Sequence, residues 1–423
     1  MFKDGFSYGL IQKFAVLYLI IWTVSPPLQV DLVYRLIALG CAAIWVAIWF
    51  VRESPISLGK KQIIAIFFLI LVLLVVYFET YELGSLLKQI ALIMLVICYL
   101  MTYFYEDKWD ELSGIVPIII ILLTVFNFKT LNILIEDHTV ARLLVRDDET
   151  TYEYLRQGIG GYSLIYPQVC ISPLIFAWTF KAFKHNKLYF IIGAVWAYAF
   201  VRLLELAGYS IALFASAIGL LLLIFYRGKN VIGAFIITIL AFAGIMAAIL
   251  YIAPFREWIL ETFDGTAVAR KVNDLISTSD TGVTGDSIQV RITAYSASLA
   301  NINKYPVIGS LWRDGGGGHS ALLDIISKYG ILGGYVFVIL FYHVPLYYKN
   351  HYKDKFITIT ANATLVSLMF ISIFDSFNYS FTCMVMIVSS LIFEDIIKWT
   401  GAEKSENIMD SKFNTLRRFS QTR

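Results

Sequence analysis

The sequence predicts an all-α polytopic membrane protein, and three observations lead there. The first is composition. Of 423 residues, 58% are hydrophobic and 15% charged, and the mean hydropathy is +0.71. A soluble chain of this size hides that much apolar surface only by splitting into several domains. The second is segmentation. The apolar residues come in blocks separated by short polar turns, and the blocks approach the roughly 20 residues that a helix needs to cross the hydrocarbon core. The third is continuity. The blocks do not alternate polar with apolar, which selects helices over a closed barrel as the structure that satisfies its own backbone in lipid.

In chain order the predicted spans are 9–24, 32–51, 62–78, 86–105, 114–127, 160–180, 188–204, 208–226, 231–253, 333–348, 357–376 and 379–398. That is about 12 spans, with a range of about 11–13, because the fifth is short and the tenth follows a broken apolar stretch. The first ends in Ser25-Pro26-Pro27. It lacks a small-x-small cleavage pattern and reads as a retained helix, not a signal peptide. No internal repeat is visible. Residues 1–400 therefore read as a single transmembrane helical domain, followed by a basic tail over 401–423.

Orientation follows from Lys and Arg, which favour cytoplasmic loops. One set of turns carries Arg52/Lys60/Lys61, Lys181/Lys184/Lys187, Arg227/Lys229 and Lys349/Lys353/Lys355. The N-terminus, with Lys3 and Lys13, and the tail, with Arg417 and Arg418, fall on the same side. The alternate turns near Pro26, Glu79 and Asp375 carry neither Lys nor Arg. The expectation is a multi-pass protein with its basic turns and both termini cytoplasmic. The acidic turn 105–111 dissents, but acids weigh little in this rule. Two segments, about 128–158 and 254–318, are too long and polar for turns and fall on the outer side. Long loops in a compact protein tend to be functional. Both contain helix-like stretches and are expected to fold over the outer mouth of the bundle.

Several chemistries drop out. A net charge of +3 is too small to argue for nucleic acid. Cys41, Cys98, Cys170 and Cys383 all lie in apolar blocks and read as buried free thiols. His138, His185, His319, His343 and His351 show no metal-ligand spacing, so neither a metal nor a cofactor is expected.

What remains is arginine. The outer loops and nearby helix ends hold Arg142, Arg146, Arg156, Arg202, Arg256, Arg270, Arg291 and Arg313, against few lysines. Guanidinium suits bidentate recognition of phosphate or carboxylate. The set reads as a site for a phosphorylated or otherwise anionic substrate. The competing reading pairs these arginines with loop acids such as Asp147, Asp148 and Glu149. Arg202, at a helix end near Glu205, has a further ordinary reading, snorkelling to headgroups.

The run Gly315-Gly316-Gly317-Gly318-His319-Ser320 is a second signal. Glycines let backbone approach a ligand, and the run opens a helix with Ser320 as candidate N-cap. Such a start can hold an anion, and His319 sits at its mouth, where an imidazole can take a proton from a sugar hydroxyl. The alternative is a hinge with a solvated histidine. Asp324 is five residues beyond His319, too far round a helix to orient it. Upstream, Arg291, Tyr295 and Ser298 share one helical face, either a polar wall for a sugar or part of an amphipathic interfacial helix whose arginine meets lipid phosphate. Fifteen residues separate Arg142 from Gly158, where Gly158-Ile159-Gly160-Gly161-Tyr162-Ser163 marks a return into a helix by a tight, closely packed turn.

With its many spans and its second outer loop, the chain resembles the O-antigen polymerase and ligase superfamily, the Wzy/WaaL-like membrane glycosyltransferases. The residues that carry the resemblance are Arg291 opening a helix, Pro306 to Gly309, Gly318-His319-Ser320, Leu323, then Tyr329-Gly330-Ile331-Leu332-Gly333. The Arg142–Gly158 spacing also looks like the arginine–glycine spacing of polymerase outer loops. The resemblance implies a GT-C-like, metal-independent enzyme acting on the periplasmic or extracellular face of a bacterial cytoplasmic (inner) membrane. Its donor and acceptor would be undecaprenyl-diphosphate-linked oligosaccharides, and its product O-antigen, capsular or exopolysaccharide. A chain-length regulator and a flippase would be candidate protein partners.

By the same resemblance Arg291 and His319 fall on the family's essential positions. The arginine set, the glycine run and the helix face of Arg291 add Arg142, Arg146, Arg156, Arg202, Tyr295, Arg313, Gly317, Gly318 and Ser320 as substrate-binding candidates. Many ligases carry Ser-Arg-Gly where this chain reads Ala207-Gly208-Tyr209-Ser210, which favours a polymerase. The alternatives are a ligase or oligosaccharyltransferase of the same superfamily, a transporter or flippase, and a peptidoglycan polymerase of the shape–elongation–division type. The last would need an outer-loop acid such as Asp264, Asp280 or Asp286, none of which sits in a recognisable pattern.

Overall fold

A computed structural model of the chain describes residues 5–52, 87–88, 90–92, 95, 109–112, 114–137, 140–144, 149–226, 230–264, 269, 272–273, 276–277, 286–311, 317–375 and 379–402. It is all-helical, with no strand among the described residues. The helices are α1 (Gly5–Val24), α2 (Pro26–Val30), α3 (Leu32–Arg52), α4 (Ile115–Glu136), α5 (Val140–Leu143), α6 (Glu149–Arg156), α7 (Tyr162–His185), α8 (Lys187–Ala207), α9 (Ser210–Phe225), α10 (Val231–Tyr251), α11 (Ala253–Thr262), α12 (Asp286–Lys304), α13 (Ala321–His351), α14 (Lys355–Phe374) and α15 (Tyr379–Thr400). Five of them, α4, α7, α8, α10 and α14, are long and apolar enough to cross a membrane. The expected span 62–78, most of 86–105, and the tail beyond residue 402 lie outside the described residues.

α7 and α14 are the centre of the bundle: 83% and 78% of their apolar windows are buried, against 17% for the peripheral α10. Outward faces carry bare apolar side chains, such as Ile118, Ile121 and Val125 on α4 and Leu188, Ile191 and Val195 on α8. Stripes of this kind suit a hydrocarbon surround. α7 passes through Pro167 and Pro173. Pro173 has no N–H for the carbonyl of Val169, and the Ser172 hydroxyl donates to that carbonyl instead, at 2.8 Å.

The expected short span 114–127 needs correction. α4 runs on to Glu136 and takes in the start of the segment assigned to an outer loop. The break in hydropathy at Asn127-Phe128-Lys129 is not a break in structure, because the polar groups are satisfied inside the bundle. Asn127 and Gln168 exchange two amide hydrogen bonds at 2.9 and 2.8 Å, and Trp196 Nε1 donates to Gln168 Oε1 at 2.8 Å. Thr130 donates to the carbonyl of Phe126 and accepts from Gly160 N at 2.9 Å. The expected outer segments are otherwise partly helical, through α5, α6, α11 and α12.

The connections sort by character. At one end, Arg156 of α6 bonds Asp31 after α2, Tyr162 at the start of α7 stacks on Tyr209 before α9, and the N–H of Ala321 opening α13 reaches the carbonyl of Asp375 after α14. At the other end, Lys181 lies over the Phe356 ring, and His185, Tyr189 and Trp178 gather round Trp399. The basic turns at 181–187 and 349–355 thus meet at that second end. Cys170 and Cys383 are buried free thiols; Cys41 is free but only half-buried, and Cys98 lies outside the described residues.

Gln168→Leu leaves the Asn127 amide and the Trp196 N–H without their buried partner, and is expected to cost about 1–3 kcal/mol. The double variant Asn127→Leu/Gln168→Leu should recover part of the loss. Thermal unfolding in detergent measures both; a Gln168→Leu protein as stable as wild type contradicts this account of α4.

Candidate functional site

The site is built around the last turn of α14. The final carbonyls of a helix have no partner within it. Here the Asp375 N–H takes the carbonyl of Ile371. The Ser320 hydroxyl donates to the carbonyl of Ser372 at 3.3 Å, and Arg291 Nη1 donates to that of Phe374 at 2.7 Å. One residue on, the carbonyl of Asp375 accepts from Ala321 N at 2.8 Å. Residues distant in sequence are thereby fixed on one helix end.

Arg291 reaches this point from α12, whose inward face is Arg291, Ala294, Tyr295 and Ser298. The shared face expected for Arg291, Tyr295 and Ser298 is present. Ser298, however, is buried and committed to the protein: its hydroxyl donates to Asp324 Oδ1 at 2.7 Å and accepts from Gly317 N at 2.8 Å. Arg291 is half-buried, and the remaining N–H groups of its guanidinium bond nothing among the described residues. A cation at a helix C-terminus is favoured by the dipole, which holds it there.

Beside it stands a cluster absent from the expectations above. Asp375 is buried, and the Tyr166 hydroxyl donates to its Oδ2 at 2.5 Å. Tyr162 stacks on Tyr166 at 4.7 Å and on Tyr209 at 4.6 Å. The sequence carried two signals for this cluster: an acid in a turn otherwise without charge, and tyrosines four apart at the start of α7.

The glycine–histidine segment closes the site. Ser320 caps α13, its hydroxyl accepting from Leu323 N at 3.3 Å, and Asp324 Oδ2 accepts from Ser320 N at 3.2 Å. The backbone of Gly317 presses on α12, where a Cβ would lie 1.9 Å from the carbonyl oxygen of Ala294. Gly318 has φ +79° and open space around it. His319 is half-buried, and its ring makes no hydrogen bond among the described residues.

The second half of the motif has a structural account. α13 is two helices broken at Gly330, which has φ +69° and ψ −175°. Segment 305–311 fills the break: Ser310 N and Leu311 N donate to the carbonyls of Ser327 and Lys328, and Ile331 N donates to that of Pro306. A Cβ on Gly309 would lie 2.4 Å from Gly330 N, and one on Gly330 would lie 2.0 Å from the carbonyl oxygen of Val307. The spacing Pro306 to Gly309 and the pair Tyr329-Gly330 are therefore an interlock of two backbones.

The expected site residues divide accordingly. Arg291, Tyr295, Gly317, Gly318, His319 and Ser320 come together at the end of α14. Arg156 is paired with Asp31 at 2.9 Å, and Arg202 with Glu205 in its own helix. The glycines after Arg156 make the tight turn expected, where a Cβ on Gly161 would lie 2.7 Å from the carbonyl oxygen of Leu144. Arg146 and Arg313, and the side chain of Arg142, lie outside the described residues. Chemically, the cluster offers a fixed cation, a buried carboxylate, stacked phenol rings and one imidazole. Comparisons with protein-family models, with curated proteins and with solved structures return no match.

Gly317→Ala and Gly309→Ala place a Cβ against backbone and should disrupt the segment. Gly318→Ala should cost only the left-handed strain of about 1–2 kcal/mol. Thermal unfolding gives the order; equal stability of the Gly317 and Gly318 variants contradicts the packing described.

Proposed function

We propose that the chain is a membrane glycosyltransferase that polymerises polyprenyl-diphosphate-linked oligosaccharide repeat units. The carrying observation is that Arg291 of α12 and Ser320, the residue after Gly318-His319, both donate to carbonyls of the same last turn of α14. The reading also rests on the motif resemblance and on the apolar helices. In this reading about 12 helices cross the cytoplasmic membrane of a bacterium. The α14 end faces outward, and the basic turns face the cytoplasm.

The proposed reaction joins two lipid-linked chains. An acceptor sugar hydroxyl attacks the anomeric carbon of the donor glycan. The new C–O bond forms as the bond from that carbon to the diphosphate oxygen breaks. The hydroxyl proton passes to His319, and the electron pair of the broken bond leaves on the lipid diphosphate. Arg291 stabilises the charge that grows there. It is suited to this because one N–H already holds Phe374, so the guanidinium needs no reorganisation when charge develops. Arg142 is the second candidate for the diphosphate. Both substrates remain in the bilayer, and holding them in line supplies much of the rest. The turn Ala207–Ser210 contributes Tyr209 to the aromatic stack and carries no arginine, which favours the polymerase reading over the ligase one.

In liposomes supplied with a defined lipid-diphosphate repeat unit, the wild type should produce a ladder of polymer. His319→Ala should lower the rate about 10²–10⁴-fold, and Arg291→Ala about 10²–10³-fold. A ladder of wild-type length from either variant rules out its assignment, and no ladder from wild type with any such donor rules out the polymerase.

For sidedness, single cysteines are placed in a background whose native cysteines are serine. Val290→Cys, at an exposed position of α12, should react with a membrane-impermeant maleimide added to intact cells. Lys353→Cys, exposed at the opposite end, should react only after lysis. The reverse pattern inverts the topology.

A further inference from the structure

In sequence, Asp324 stands five residues beyond His319, too far round a helix to orient it directly. The structure gives it a different relation to that residue. Its two carboxylate oxygens serve the two sides of the Gly318–His319 tip. Oδ2 takes the N–H of Ser320 directly, at 3.2 Å. Oδ1 takes the hydroxyl of Ser298 at 2.7 Å, and that hydroxyl in turn takes the N–H of Gly317 at 2.8 Å. A single carboxylate therefore closes a loop from Gly317 through Ser298 to Ser320, with only Gly318 and His319 between the fixed points. The tip needs such a restraint. Gly318 has no side chain and faces open space, and the ring of His319 bonds nothing among the described residues. Nothing in the tip itself would otherwise limit where the imidazole goes.

We propose that Asp324 is the positioning residue of His319, fixing the backbone on both sides of it through Ser320 and, by way of the Ser298 hydroxyl, Gly317. The proposal rests on the reading of His319 as the proton acceptor, but its structural half stands apart from that reading. The carboxylate is suited to the task because it accepts at both oxygens, and bonds to a charged acceptor are stronger than those between neutral groups. An amide at the same position keeps the shape and one acceptor and loses the other. Ser298→Ala, which removes the hydroxyl, cuts the link to Gly317 while leaving the bond to Ser320.

The test uses the full-length protein in detergent and in liposomes. Amide hydrogen exchange is read by mass spectrometry on peptides covering 317–320. Asp324→Asn and Ser298→Ala should each raise exchange there about tenfold or more, with exchange in α7 and α14 unchanged. The double variant should exchange no faster than the stronger single, because both remove parts of one network. With the lipid-linked repeat unit, Asp324→Asn should lower kcat about 10- to 100-fold, the effect of a small misplacement of a reacting group. KM should stay within about twofold, since a tip that only carries the base adds no ground-state binding. Asp324→Glu, which restores both acceptors, should recover part of kcat.

Unchanged exchange in both single variants overturns the proposal. Raised exchange with wild-type kcat overturns the positioning role, since the tip would then move without consequence. If exchange rises as expected while neither wild type nor any variant makes polymer, the positioning stands and the polymerase reading fails.

Discussion

The last turn of α14 sets the terms for the rest of the site. A helix that ends inside protein must find donors for carbonyls that no longer have partners along the chain. Near hydrocarbon, water is a poor substitute and the groups must be satisfied internally. Ser372 and Phe374 obtain their donors from Ser320 and Arg291, and the next carbonyl, of Asp375, obtains its donor from Ala321 N. This requirement draws α12 and the start of α13 onto the bundle, and it explains why a half-buried arginine is held in place without an ion-pair partner among the described residues. The negative end of the helix dipole adds to the attraction.

Two further constraints turn this docking into a shaped site. The buried face of α12 meets Gly317 so closely that it has no room for a Cβ, so the chain must pass Ala294 there as bare backbone. Downstream, α13 breaks at Gly330 and takes segment 305–311 into the gap, so that the loop after α12 supplies N–H groups to carbonyls the break sets free. α12 is therefore held at both ends, by Arg291 on α14 and by segment 305–311 on α13. Between those anchors the Gly318–His319 tip is the part left with few bonds of its own.

Much of the helical layout could be read from the sequence because apolar length is a direct physical requirement. α7, α8, α10 and α14 fall where the apolar blocks are. α4 was misjudged, since hydropathy counts Asn127 and Thr130 as polar and cannot see that Gln168 and Gly160 receive them. At the site, Ser320 as N-cap and the common face of Arg291, Tyr295 and Ser298 were legible, because both depend on spacing within one helix. Asp375 with Tyr166, and Asp324 with Gly317, were not. Each pair is joined across elements: Asp375 meets Tyr166 across 209 positions, and Asp324 reaches Gly317 only through Ser298. No local periodicity records such a meeting.

The arginine excess that first pointed to an anionic ligand separates along the same line. Arg156 and Arg202 have acids at hand and are neutralised. Exposed pairs of the Arg156 kind contribute at most about 1 kcal/mol, so they neither build the fold nor leave charge for a ligand. Arg291 differs because its partner is a neutral carbonyl. That bond fixes the direction of the guanidinium without cancelling its charge, and planar guanidinium has five donors, of which a cap consumes one. A lysine in the same place has three donors on one freely rotating centre, so a bond to the helix end would not aim the others at a ligand as the fixed guanidinium fork does. The geometry that completes the end of α14 is for that reason compatible with an anion approaching the other face of the same group. Structural and chemical use of Arg291 do not compete.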